Sequence, residues 1–368
     1  MISALAAAVF LASCSATVQQ GGGDGGAGST DGGAETIAAD ANPDPNPPTA
    51  WTGPTSSPPA QSGKKVTIVS CINTSPAAHD LAMGAKEGAD ALGWESTVVD
   101  GKAQTTVQIS AIEAAVSAKV DGIITICIDP PTIPTALQAA KDAGIPVVSA
   151  SAPMLDDPLV AAFASYPSVG YGKLVADWII EDSGGKGKVV VIDVPNSAAG
   201  HLTQQSMIEQ IEANCPECEI VETAEISLGD AFSPKLGSLV RTLEQQHGES
   251  MEYLTFPFAG MWGQAGPAIR DIGRSDLKVA TYDGDAVITQ ACQEGLVQAV
   301  ASFPLKWNGW AAADQMNRVL AGEEPVFDVG IPAFMMTSEN CQGIADADQL
   351  VEVDFASEYQ KLWGTSGK

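Results

Sequence analysis

From residue 64 onward, short β-branched runs alternate with stretches whose apolar residues recur at helical spacing. The runs at 65–70, 94–99, 120–126 and 145–149 predict strands buried on both faces. Between them lie three predicted helices. Residues 77–92 carry Leu81, Ala85, Ala89 and Leu92 on one face and stop at Gly93. Residues 105–118 carry Val107, Ile109, Ile112 and Val116, and residues 134–143 stop at Gly144. A strict strand–helix alternation requires a parallel sheet with right-handed crossovers and helices on both faces. The pattern then restarts. Helices are predicted at 169–181, 204–214, 234–247, 264–272 and 289–295, and strands at 188–193, 219–223, 251–257, 278–282 and 297–303, before a long helix at 307–321. The expectation is an α/β protein of two doubly wound parallel-sheet lobes. Ligands of such sheets sit beyond the carboxyl ends of the strands, so two facing lobes make a cleft there.

The first sixty residues follow neither pattern. A short apolar run from Ile2 to Leu11 has the length of a signal-peptide core, and Leu11-Ala12-Ser13-Cys14 looks like a bacterial lipobox. Residues 1–14 are therefore expected to be a lipoprotein signal peptide with Cys14 as the lipidation site. No Lys or Arg precedes the run, and a positive n-region implies a start upstream of Met1. Residues 15–63 are Gly-rich, then Pro-rich, with no Lys or Arg. Such a segment buries too little surface to offset its ordering entropy, so a disordered tether is expected.

Composition removes whole classes of function. The 368 residues hold 18 Lys+Arg against 45 Asp+Glu, a net charge of −27. Phosphate neutralisation needs clustered Lys and Arg, so no nucleic-acid partner is expected, and membrane contact is expected through a lipid anchor only. An exported α/β hydrolase, the remote alternative, needs a Gly-x-Ser-x-Gly elbow after a strand, and none is present. There is no HExxH and no phosphate-binding GxxxxGK[ST] loop. No enzyme activity, cofactor or metal is called for.

Seven cysteines are present. With Cys14 acylated, six remain, and an even count in an exported chain points to disulfides. Cys215-Pro216-Glu217-Cys218 falls in a helix-to-strand loop and reads as a small staple. Cys71 and Cys127 each close a predicted strand and are candidates to pair, which leaves Cys292 with Cys341. Six cysteines allow 15 connectivities, so the pairing stays open.

Several stretches together resemble one family: the type I periplasmic binding proteins of sugar-type ABC transporters, ribose-binding-protein-like. They are Val69-Ser70-Cys71-Ile72-Asn73, Gly84-Ala85-Lys86-Glu87-Gly88-Ala89, Val120-Asp121-Gly122-Ile123-Ile124, Ala143-Gly144-Ile145-Pro146-Val147-Val148 and Tyr282-Asp283-Gly284-Asp285. The resemblance covers roughly 64–330. It implies an N-terminal lobe of 64–164 plus 303–331 and a C-terminal lobe of 165–302 plus 332–368. A three-strand hinge near 164–166, 302–303 and 332–334 would join them. It also implies Asn73, Asp129 and Asp283 as ligand contacts. A carboxylate suits a vicinal diol because it accepts two strong hydrogen bonds. Three departures stand out: Ser151-Ala152 replaces a family Asp-Arg, the stretch 196–203 offers His201 and no Arg, and Phe258-Ala259 replaces an Asn-Asp. The charged clamp is largely missing. Phe258, Trp262, Phe303, Trp307 and Tyr166 offer aromatic faces instead. His79, Ser151 and His201 complete the candidate set.

The resemblance implies an extracytoplasmic, lipid-anchored, monomeric solute-binding lipoprotein. It would capture a sugar or sugar-like polyol by hinge closure and deliver it to an ABC permease. The alternatives are a ligand-sensing receptor for a membrane kinase, or a binder of a flatter aromatic or nucleoside ligand.

Overall fold

The structure is a computed structural model that describes residues 43–152, 157–166 and 168–367. The expected signal peptide, Cys14 and the start of the expected tether lie outside the described residues. The first sheet is five-stranded and all parallel, in the order β2-β1-β3-β4-β5. Its strands are β1 (Lys65–Ser70), β2 (Glu95–Asp100), β3 (Gly122–Ile126), β4 (Val147–Ala150) and β5 (Ala162–Ala164). The second sheet has the order β11-β10-β9-β8-β6-β7. It comprises β6 (Lys188–Asp193), β7 (Glu219–Glu225), β8 (Tyr253–Thr255), β9 (Lys278–Asp283), β10 (Ala299–Ser302) and β11 (Phe334–Thr337). Only the β10–β11 pair is antiparallel.

The helices between them are α1 (Pro76–Ala91), α2 (Thr105–Ser117), α3 (Pro134–Asp142), α4 (Ser168–Asp182), α5 (Ala198–Asn214), α6 (Leu228–Ala231), α7 (Pro234–His247), α8 (Trp262–Ile272), α9 (Ala286–Gln293), α10 (Leu305–Ala321) and α11 (Phe355–Trp363). Alternate strand residues serve opposite faces, as the pleat requires. Val66 and Ile68 of β1 face the α1 and α10 side, whereas Val69 joins Ile112, Leu137 and Val147 under α2 and α3. In the second lobe, Val189 and Val191 pack toward α4 and α5, and Val190 and Ile192 toward α7 and α8.

The chain passes from the first sheet to the second between β5 and α4, back between β10 and α10, and again between α10 and β11. Helix α10 is held to the first lobe by backbone-to-backbone approach. A Cβ on Gly309 would lie 2.3 Å from Ala85 N, and one on Gly84 would lie 2.4 Å from Lys306 O. Only glycine fits at this α1–α10 crossing.

Two stretches depart from expectation. The expected tether from 15 to 63 does not hold for its last part, because residues 43–63 lie packed along the body. Trp51 stacks on Trp307 with ring centroids 5.0 Å apart and meets Tyr359 edge-on. Met335 N donates to Pro45 O, Asn317 Nδ2 to Pro58 O, and Ala60 N to Trp363 O. The prolines leave few backbone donors of their own, and α10 supplies the side-chain partners Asp314, Asn317 and Arg318. The chain end also departs. Residues 332–368 were expected wholly with the second lobe, but α11 returns to the first, where Trp363 stacks on Trp310 at 5.5 Å. Disulfides join Cys215 to Cys218 and Cys292 to Cys341, while Cys71 and Cys127 are free thiols.

Candidate functional site

A cavity of about 220 Å³ lies between the carboxyl ends of the two sheets. The first lobe contributes residues that directly follow its strands: Cys71, Ile72 and Ser75 after β1, Ala103 and Thr105 after β2, Cys127, Ile128 and Asp129 after β3, and Ser151 after β4. The second lobe contributes Asn196 and Ser197 after β6, Leu228 and Phe232 after β7, Phe258 after β8, and Asp283 at the end of β9. Tyr166, at the first crossing, forms part of the wall, and its ring stacks on Phe303 at 4.7 Å.

Four wall residues have left-handed backbone without being glycine: Ala103 at φ 53° in the turn after β2, and Cys127 at φ 55°, Ser151 at φ 53° and Asp283 at φ 87° at the ends of strands. Such strain costs on the order of 1–3 kcal/mol per residue and persists where the surroundings fix it, commonly at binding sites. It aims these side chains into the cavity instead of along the sheet.

The lobes touch across the cavity. Asp129 of the first lobe accepts, through Oδ2, a 3.0 Å hydrogen bond from Ala198 N, the first residue of α5 in the second lobe. The N-cap residue of that helix, Ser197, supplies no capping bond itself. A carboxylate therefore caps a helix N-terminus from the opposite wall, where the helix dipole favours it. Gly260 sits so close that a Cβ there would lie 3.1 Å from Ser75 Oγ. The described conformation is a closed one.

Both wall carboxylates are perturbed. Burial, with the charge of Asp285 adding to it and the Ala259 N–H opposing it, pushes the Asp283 carboxyl up to about 7. Burial raises Asp129, and the Ala198 bond opposes that rise. No Lys, Arg or His lines the cavity among the described residues. The wall thus offers hydroxyls, amides and two carboxyl groups beside the apolar faces of Ile128, Leu228, Phe232 and Phe258. It can hydrogen-bond an uncharged polyhydroxylated solute and cover its C–H surface.

Of the candidate residues, the structure brings together Asp129, Ser151, Phe258 and Asp283. It places the others elsewhere. Asn73 lies beside the cavity, its N–H spent on Asp100 Oδ1. His79 is exposed on α1. The helix expected from 204 begins at Ala198, which puts His201 in the first turn of α5, where Nδ1 lies 2.7 Å from Asp193 Oδ2. Trp262 is buried in the second lobe's core under Arg270. Phe303 lies beneath the wall, stacked on Tyr166 and tilted against Tyr171. Trp307 is fully buried against Trp51 and serves packing. Large aromatics went to the core because burying them gains more than lining a wet cleft. Sequence reasoning missed Ser75, Thr105, Gln108, Thr132 and Phe232. Ser75, Thr105 and Thr132 follow soon after a strand's carboxyl end, which was the available signal, whereas Gln108 inside α2 and Phe232 beyond α6 carried none.

Two α/β lobes joined by three crossings, closed around a polar-and-aromatic cavity at their strand tips, define a hinged receptor for a small solute. The chain belongs to the periplasmic binding protein family: the model described as "Periplasmic binding protein domain" matches residues 68–324. The xylitol-binding protein of Mycolicibacterium smegmatis is 23% identical over 181 residues, 49% of this chain and 50% of that protein. The match thus spans about half the length of that relative. Among solved structures, an ABC sugar transporter subunit from Rhodobacter sphaeroides superposes with a TM-score of 0.68 at 21% identity, covering 76% of this chain and 99% of its own. An ABC transporter solute-binding protein from Agrobacterium vitis with bound allitol superposes at 0.66 and 18% identity, covering 76% and 97%.

Proposed function

We propose that this chain is the extracytoplasmic solute-binding component of an ABC importer. It captures a small neutral polyol or monosaccharide in the interlobe cavity and passes it unchanged to a membrane permease. It acts as a monomer and is held at the membrane by a lipid on Cys14. The observation that carries this reading is the cavity itself. Its volume of about 220 Å³ is below the roughly 300–1,000 Å³ typical of drug-sized ligands, which favours a single sugar or alditol over an oligosaccharide. Its acceptors and donors are neutral or acidic, so a sugar acid or sugar phosphate would meet uncompensated negative charge. The relatives that bind xylitol and allitol point the same way.

Ligand bridging both walls stabilises the closed form by its differential affinity for it. The test is a thermal-shift panel of xylitol, allitol, pentoses, hexoses, a nucleoside and an aromatic acid, followed by calorimetry on any hit. A ligand that binds only the native state raises its melting temperature. A polyol or sugar hit recovered chemically intact is expected. A response to the nucleoside or aromatic acid alone, or turnover of the hit, overturns the reading.

A further inference from the structure

The cavity wall carries chemistry that solute capture does not use. Cys71 and Cys127 stand at the ends of neighbouring parallel strands. The register ends at Ser70↔Ile126, closed by Cys71 N donating to Ile126 O at 2.9 Å, so Cys71 and Cys127 are the next residue on each strand, and their two thiols are in hydrogen-bond contact. Neighbouring strands lie about 4.8 Å apart, inside the Cα separation of about 4.4–6.8 Å that a disulfide spans. Both residues line the cavity and neither is fully buried. By contrast, Cys292 and Cys341 of the second lobe's disulfide are 1% and 0% exposed.

We propose that Cys71 and Cys127 form a thiol–disulfide exchange site in the cavity wall, closing to a reversible intralobe disulfide at the expense of a small-molecule or protein disulfide. The Cys71 thiolate attacks one sulfur of the incoming disulfide. That S–S bond breaks, and the first thiol leaves with the proton Cys71 gave up. The Cys127 sulfur then attacks Cys71 Sγ, breaks the mixed disulfide and expels the second thiol, which takes the Cys127 proton. Two cysteine sulfurs are oxidised and one external disulfide is reduced. The order follows from the surroundings, because contact with the Cys71 thiol and burial together push the Cys127 thiol well up. The cross-link stays within one lobe, so it leaves the hinge free. It replaces two S–H donors beside Ser151 with acceptor-only sulfurs, and it does not depend on which solute the cavity takes.

The test equilibrates the full chain with oxidised and reduced glutathione at graded ratios, alkylates the remaining thiols and maps peptides by mass spectrometry. The expected result is a linked Cys71–Cys127 peptide that appears as both thiols vanish together. It should reopen at a milder ratio than the buried Cys292–Cys341 bond. In Cys127→Ser, Cys71 should instead carry a single glutathione. If both thiols stay alkylatable in the oxidised couple, or the parent chain collects separate glutathione adducts on them without a link, the proposal is overturned.

Discussion

Asp129 hydrogen-bonds from the first lobe to a helix terminus of the second, so its removal tests how far that bond holds the closed form. In Asp129→Ala the Ala198 N–H loses an anionic acceptor, worth about 1.5–3 kcal/mol for a hydrogen bond to a charged group. The charge at the N-terminus of α5 contributes about 0.3–1 kcal/mol of related stabilisation. The two terms describe one interaction and overlap, and Asp129 keeps some exposure, so about 1.5–2.5 kcal/mol applies against the closed form. At about 1.4 kcal/mol per factor of ten, the closing equilibrium shifts by roughly 10- to 60-fold. That shift falls on the dissociation rate, because association occurs with the open form. Stopped-flow measurements on whichever ligand the thermal screen identifies should show dissociation faster by that factor and association changed by less than about threefold. Asp129→Asn keeps an acceptor without the charge, so it should lose only part of the effect. An Asp129→Ala variant with an unchanged dissociation rate would refute the assignment of a closing latch.

Other expectations follow from the same geometry. Asp283→Ala should weaken ligand binding by about 1.5–3 kcal/mol in calorimetry, the range for a charged hydrogen bond; unchanged affinity removes Asp283 from the site. Its carboxyl sits near 7 in the folded protein, above the ordinary carboxylate value, so the folded state binds more protons than the unfolded one between those two values. Stability should therefore fall as pH rises from about 4 through about 7, and urea melts of Asp283→Asn should show a flatter pH dependence. Asp348, raised to about 6 mainly by burial, works in the same direction and leaves a residual slope. Trp51→Ala should cost about 2–3 kcal/mol of stability in urea melts, less than a fully buried tryptophan because Trp51 is half-buried. A null effect there would mean that residues 43–63 do not pack as described. Gly309→Val drives a side chain into the α1 backbone and should cost at least about 1–3 kcal/mol.

The alternation of β-branched runs with helical stripes was enough to specify two parallel-sheet lobes, because those patterns encode local geometry and burial on both faces. The rule that ligands sit at strand carboxyl ends pointed to Asp129, Ser151, Phe258 and Asp283, and all four line the cavity. It failed where side-chain type was taken as a guide. Trp307 and Phe303 carry the aromatic surface a sugar site would use, yet α10 and the crossing bury them. The prolines and glycines of residues 43–63 read locally as a tether, since nothing in that segment can form a core of its own. Packing came from afar, from Trp307, Asp314 and Asn317 about 250 residues later in the chain.

What the sequence determined alone was the strand–helix alternation, the parallel core of each sheet and the strand ends that line the cavity, all of which follow from short-range periodicity, whereas β5, β11, α6 and α11 were not predicted. What only the tertiary structure decided was which strand-end residues face one another. The left-handed turns at Cys127, Ser151 and Asp283, the reach of Asp129 to α5, and the meeting of Cys71 with Cys127 all depend on strands and lobes brought together over long separations. A contact between distant segments leaves no periodic trace in either of them, so it becomes legible only when the chain is folded.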